Sequence, residues 1–216
     1  MDSQHLNQES TPAESPTPVQ VAEKPAPPST STEGNGCGWN PKALISDSYR
    51  EQNALMHKAT NFGAEGQRWA NAALKLIEEF GCGSILDYGC GKGTFAAQMA
   101  RNNKRNVKQY DPAIPRHAML PEPSDFVICN DVLEHIEPEY VDNVLDHLQS
   151  LILKCGLLGV ALKYAVLHKL PDGRNPHLSV HPAEWWVEKF EQRWEVVQIP
   201  KSAGRVHELA CVVIPK

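Results

Sequence analysis

Ser84-Ile85-Leu86-Asp87-Tyr88-Gly89-Cys90-Gly91-Lys92-Gly93-Thr94-Phe95 decides the fold of this chain. An apolar run of strand length leads to an acidic residue, then to three glycines in alternation, then to a helix start. Glycines so spaced let a backbone turn tightly and pass close to a ligand. A plain phosphate cradle presents N–H groups and a lysine to negative charge. Asp87 ahead of the glycines argues against that use. It suits a ligand with a positive group or free hydroxyls.

Helix and strand signals alternate after residue 60. Apolar residues at Trp69, Ala73, Leu76, Ile77 and Phe80 predict a helix over 67–80, stopped by Gly81. Strands are expected at 84–88, 107–110, 125–130 and 157–162. Helices are expected at 94–102, from Pro138 to near Gly156, and from Pro182 through Phe190. Residues 194–199 and 209–214 read as a closing pair of strands. This alternation predicts an α/β fold with a doubly wound, mostly parallel sheet and an antiparallel closing strand. In such sheets ligands bind beyond the carboxyl ends of the strands. The glycine turn, Asp111 and Asn130-Asp131 all fall at such ends, so three chemically distinct elements converge on one crevice. The stretch between Asp111 and Asp125 carries Pro112, Pro115, Pro121 and Pro123, and a full helix plus strand barely fits there. An abbreviated third βα unit is expected.

The 216 residues suffice for one sizeable domain. Residues 1–38 are rich in Pro, Ser, Thr, Glu and Gln and almost lack large apolar side chains. Such a segment cannot bury enough surface to offset chain entropy, so it is expected to be a disordered, acidic tail. Residues 39–216 then form the domain, with 39–66 as a possible lid. Five of the 26 acidic residues and one of the 21 basic residues lie in the tail, which leaves the domain with 21 and 20. A near-neutral domain gives no electrostatic footprint for duplex nucleic acid, although a local basic patch stays open. The six cysteines are scattered without a Cys-x-x-Cys pair, which points to reduced thiols in a cytoplasmic protein. No signal-peptide pattern, transit-peptide pattern or membrane-spanning run is evident.

Asp-x-Gly-x-Gly-x-Gly after a strand resembles the first motif of the class I S-adenosylmethionine-dependent methyltransferases. Asp111 matches the acidic residue such enzymes place on the ribose hydroxyls. Asn130-Asp131-Val132-Leu133-Glu134-His135 resembles the post-strand motif of their small-molecule branch. Together with Tyr-Asp-Pro-Ala-Ile-Pro and Leu-Pro-Asp-Gly-Arg-Asn-x-His-Leu, the chain looks like methyltransferase-like proteins of bacteria and their phages whose substrate is unassigned. The resemblance implies a Rossmann-like fold and S-adenosyl-L-methionine as cofactor. It would be held by Asp87, Gly89, Cys90, Gly91, Gly93, Asp111, Asn130, Asp131 and Val132. Asp87 would orient the ammonium, and Asp111 would accept from the ribose diol. Strand residues such as Phe126 read as core, and Trp185-Trp186 as helix packing.

Methyl transfer is an in-line displacement with an excellent leaving group. Positioning supplies much of the acceleration, and a base is needed mainly to unmask an oxygen or nitrogen nucleophile. Glu134, His135 and His177 are the candidates for catalysis. Arg174 and Asn175 of the loop after the fourth parallel strand are substrate candidates, with Tyr49 and His57 of the lid segment. The expected acceptor is a small molecule or a glycan-like compound. The DNA base-modifying motifs of this fold do not occur at the corresponding strand. A second reading comes from resemblance to the small-RNA 2′-O-methyltransferases, whose Glu-x-x-Glu-His holds a metal with a later histidine. Here Asp131 replaces the first Glu, and Glu134, His135, His177 and His181 would be the ligand set. A third is a non-catalytic module that keeps the cofactor fold.

Overall fold

A computed structural model of the chain describes residues 43–199 and 207–216. Cys37 and the acidic tail lie outside the described residues. The first helix, α1 (Asp47–Ala59), is capped by Ser46, whose hydroxyl accepts the Tyr49 N–H at 3.1 Å. That hydroxyl also donates to Glu137 at 2.6 Å, which ties the helix start to a loop far along the chain. A 3-10 turn (Gly66–Trp69) then leads into α2 (Ala70–Glu79). The sheet begins with β1 (Ile85–Tyr88), whose four residues are all buried because helices cover both faces. Next come α3 (Thr94–Asn103), β2 (Lys108–Tyr110) and β3 (Ser124–Asn130). The helix α4 (Val141–Leu151), β4 (Ile152–Ala161), α5 (Ala183–Glu191), β5 (Trp194–Gln198) and β6 (Glu208–Pro215) complete the fold.

The six strands run in the order β2-β1-β3-β4-β6-β5. Pairs among β1 to β4 are parallel, and β6 lies antiparallel between β4 and β5. The chain leaves β1 to one side for β2 and returns to the other side for β3, so the crevice of a doubly wound sheet opens at the end of β1. One face is packed by α4 and α5, where Leu145, Leu148, Trp186 and Phe190 are fully buried. The other is packed by α2 and α3 through Ala73, Ile77, Phe95 and Met99. Phe126 is fully buried in that second layer, a core residue.

The expected α/β architecture holds, with one boundary moved. The helix begun at Pro138 was expected to run to near Gly156, but α4 stops at Leu151 and β4 starts at once. The cause is sheet pairing: Ile152 pairs with Ser124 and Gly156 with both Val127 and Val213. Gly156 is a close approach inside a strand, where a Cβ would meet Ile152 Cδ1 at 2.8 Å and Val213 Cγ2 at 2.9 Å. The third βα unit is abbreviated as expected. Only a 3-10 turn (Pro115–His117) separates β2 from β3, which leaves β2 as an edge strand.

Candidate functional site

A cavity of about 830 Å³ opens over the carboxyl ends of β1 to β4. Its floor is the glycine turn. Gly89, Gly91 and Gly93 take φ of 77°, 49° and 71°, left-handed values that side chains resist. The turn is held by the Gly89 and Cys90 N–H groups donating to the Tyr110 carbonyl at 2.7 and 3.0 Å. A Cβ on Gly91 would lie 2.5 Å from the Gly63 carbonyl, so the loop after α1 closes directly on the turn.

Asp87 and Asp111 face this cavity, 8 % and 6 % exposed. Asp111 accepts the Gly91 N–H at 3.0 Å and the Ala113 N–H at 2.9 Å, one on each oxygen. Each oxygen keeps acceptor capacity for a hydroxyl. Asp87 Oδ2 is buried and makes no hydrogen bond. Burial first, then the charge of Asp111, pushes its pKa up to about 7. A carboxylate so placed lacks a cation, which an ammonium would supply.

Asn130, Asp131 and Val132 line the same cavity. Neither polar atom of the Asn130 amide has a partner, and the amide sits so close over Gly159 that a Cβ there would collide with it. Asp131 adopts φ 57°, a left-handed conformation that Asp tolerates better than most residues. Its carboxylate is taken up by Arg68, whose Nη2 reaches both oxygens, at 2.6 Å to Oδ2. Arg68 Nη1 donates to Glu208 at 2.8 Å. Asp131 is thereby fixed as an anchor for the turn. Gly93 falls away from the cavity, where a Cβ would meet the Gln109 amide at 2.5 Å.

Beyond the turn the structure brings Glu134, His135 and His177 together. One nitrogen of each ring and a Glu134 carboxylate oxygen lie within 4.8 Å of one another. His135 Nδ1 is 2.9 Å from the Pro176 carbonyl, and His177 Nδ1 is 2.6 Å from the Lys163 carbonyl. A carbonyl only accepts, so both rings carry their proton on Nδ1 and keep a lone pair on Nε2. Burial, reinforced by the neighbouring His177, drops the His135 pKa to about 3. Burial also lowers that of His177, which stays partly exposed. Glu134 is 1 % exposed, and Oε2 has no partner. Burial and then Asp131 push its pKa up to about 8.

The lid residues Tyr49 and His57 both line the cavity. The Tyr49 hydroxyl donates to the Pro176 carbonyl at 3.1 Å, so α1 is latched onto the loop that carries His177. His57 Nε2 stands 3.7 Å from Asp111 Oδ2. Three expected residues lie elsewhere. Arg174 pairs with Asp172 at 2.7 Å on an exposed turn. The Asn175 amide donates to the Ala165 carbonyl at 2.8 Å and accepts its N–H at 3.1 Å, shaping the loop. His181 stacks on Trp185 at 3.8 Å, apart from the Glu134 cluster. Trp186 is buried against the sheet.

Two features escaped the sequence. Arg68 sits in the 3-10 turn before α2, and its partners are 63 and 140 residues away, so no local pattern marks it. Tyr164, Val166 and Leu167 form the cavity mouth while 65, 85 and 88 % exposed. An apolar run directly after a buried strand was the available signal.

A methyltransferase-domain family model matches residues 53–192, more than half of the chain. None of the curated proteins compared with it matches. Among solved structures, the N-methyltransferase NodS from Bradyrhizobium japonicum WM9 in complex with S-adenosyl-L-homocysteine is 16 % identical. The match covers 77 % of this chain and 98 % of that one, with a TM-score of 0.53. The 1,6-didemethyltoxoflavin-N1-methyltransferase of Burkholderia thailandensis is 14 % identical, over 81 % and 93 %, with a TM-score of 0.52. An O-methyltransferase family protein from the same organism is 17 % identical at a TM-score of 0.51; the match covers 82 % of this chain but 64 % of that one. Identities this low speak to the fold alone.

Proposed function

The chain belongs to the class I S-adenosylmethionine-dependent methyltransferases, and on that premise we propose that it methylates a small-molecule or glycan-like acceptor held beside His135 and His177. The observation that carries this reading is the pair of imidazoles with fixed Nδ1–H tautomers in the same cavity as Asp87 and Asp111.

The residues present fit the cofactor. Asp87, buried with an orphan oxygen, suits its ammonium, and Asp111 suits the ribose diol. The glycine turn leaves the backbone bare at the point of closest approach. When bound, S-adenosylmethionine supplies an electrophilic methyl group on a sulfonium. His177 then acts as the base that takes the proton from the acceptor's hydroxyl or amine as its nucleophile is used. The more deeply buried His135 is the weaker base and serves to orient the acceptor. The apolar mouth of Tyr164, Val166 and Leu167 suits an acceptor that presents an apolar or ring face beside its nucleophile.

The test is His177→Ala, assayed by S-adenosylhomocysteine release across an acceptor screen. Turnover is expected to fall by ~10²–10⁴-fold with cofactor affinity unchanged. Full turnover in the variant would make the loop a bystander. No release from the wild type with any acceptor would favour a non-catalytic module.

A second reading rests on Glu134. A buried carboxylate with an orphan oxygen beside two imidazole lone pairs is a mixed O/N set suited to a divalent metal. In that reading Glu134, His135 and His177 would hold the ion, and it would supply Lewis-acid polarisation to an acceptor hydroxyl such as an RNA 2′-hydroxyl. Activity that survives chelator dialysis, with no metal in the purified protein, would remove this reading.

A further inference from the structure

On the far side of the glycine turn a second cavity, of about 570 Å³, opens beside the edge strand β2. Four cations line it, Lys92, Lys104, Arg105 and Arg116, and no carboxylate does. They arrive from three separate segments. Lys92 belongs to the glycine turn, Lys104 and Arg105 to the turn that ends α3, and Arg116 to the 3-10 turn after β2. Among the described residues no ion pair involves any of the four. Lys92 Nζ donates to the His57 carbonyl at 2.8 Å, and Arg116 Nε to His117 Nε2 at 2.9 Å, so both meet neutral acceptors.

Cations after a helix C-terminus complement the helix dipole, and that accounts for Lys104 and Arg105. It does not account for Lys92 and Arg116, which converge on the same hollow from other elements. Lysines can also blunt an exposed sheet edge, but the β2 lysine that does so, Lys108, is not among the residues lining the cavity. With the Lys92 ammonium held on the His57 carbonyl, Lys104, Arg105 and Arg116 remain as like charges around one concavity, and a bound anion relieves their repulsion. Arginine forks and lysine point charges together match phosphate oxygens. Asn106 and Gln109 add neutral amides to the wall. The volume lies in the range of small-ligand sites. Residues 39–216 are near neutral, with 21 acidic and 20 basic residues, so a wall with four cations and no carboxylate is a local concentration of positive charge.

We propose that this cavity binds a small ligand carrying two or more phosphate groups, at a site separate from the methyl-transfer cavity. The two sites meet at Lys92, whose backbone N–H donates to the Gly63 carbonyl at 2.9 Å and whose side chain holds the His57 carbonyl. A ligand in the basic cavity therefore sits one residue from the cap over the other site.

The experiment is calorimetric titration of the full chain with sodium tripolyphosphate and, separately, with a short oligoribonucleotide. The proteins compared are the wild type, Lys104→Gln/Arg105→Gln and Arg116→Gln. The expected result is saturable, one-to-one tripolyphosphate binding, weakened at least ~10-fold in each variant, the scale of losing one or more charge-assisted contacts. S-adenosylmethionine affinity and melting temperature stay at wild-type values, which shows that the variants fold. Absence of tripolyphosphate binding, or binding equal in all three proteins, overturns the site. Oligoribonucleotide binding tighter than tripolyphosphate binding, and lost in the same variants, overturns the small-ligand assignment and makes the cavity part of a nucleic-acid track.

Discussion

Asp87 shows how one residue couples stability to binding. Its carboxyl is buried, one oxygen has no partner, and its pKa stands near 7 against an ordinary value of 3.8. A folded-state pKa above the unfolded one means that folding favours the protonated form. That contribution is complete below pH ~4 and is lost as pH rises through ~7. Asp87→Asn removes the loss, so its melting temperature should gain on that of the cofactor-free wild type between pH 4 and pH 8. Equal slopes for the two proteins would place Asp87 outside any buried site. An ammonium beside Asp87 reverses the balance by favouring the carboxylate. Near pH 6, S-adenosylmethionine binding should release a proton from the wild type and none from Asp87→Asn, read as a buffer-dependent heat. Buffer-independent heat in both proteins would separate Asp87 from the ammonium. Asp87 and Asp111 were legible in the sequence because acidic residues at strand ends are local features. Arg68 was not, since its role depends on Asp131 and Glu208, which only the folded chain brings to it.

At the scale of elements, α1 and the loop after β4 act as a pair. Tyr49, Met56 and Leu170 form a small apolar cluster with Phe62 and Leu178 packed against it. Phe62 also meets the rings of His57 at 5.0 Å and His135 at 5.1 Å, so the cap touches both halves of the cavity. The Tyr49 hydroxyl is the main polar latch between them. Tyr49→Phe leaves the Pro176 carbonyl without that donor at a cost of ~1 kcal/mol. Amide exchange in α1 should speed up by several-fold while exchange in β3 and β4 holds. Unchanged exchange in α1 would mean that the latch contributes nothing to closure. A capping role for residues 39–66 could be read from the sequence as one option. Tyr49 and His57 could be named for it, but the partners of Tyr49 could not, because Pro176 and Leu170 lie more than a hundred residues further on. The boundary at Leu151 was misplaced for a related reason. Gly156 looks like a helix stop in isolation and is a strand residue once Val127 and Val213 flank it.

For the whole molecule, the doubly wound α/β class follows from alternating patterns that the sequence carries openly, while the strand order comes from the folded sheet. The buried residues of β1 and β3 and the i, i+3, i+4, i+7 apolar series Val141, Val144, Leu145 and Leu148 are examples. The missing helix after β2 was legible from four prolines in a short span. Its consequence, an open edge with a basic cavity, was not, because Lys92 and Arg116 approach Lys104 only through the turn of the chain around β2. The same sheet underlies the proposal that the cavity at the end of β1 is a cofactor site built on Asp87 and Asp111. Calorimetric titration of S-adenosylmethionine into the wild type and into Asp111→Ala tests it most directly. One-to-one binding to the wild type is expected, weakened by ~1–3 kcal/mol in the variant, the scale of lost hydrogen bonds to a charged group. Absence of binding to the wild type, or an unchanged dissociation constant in Asp111→Ala, would contradict it.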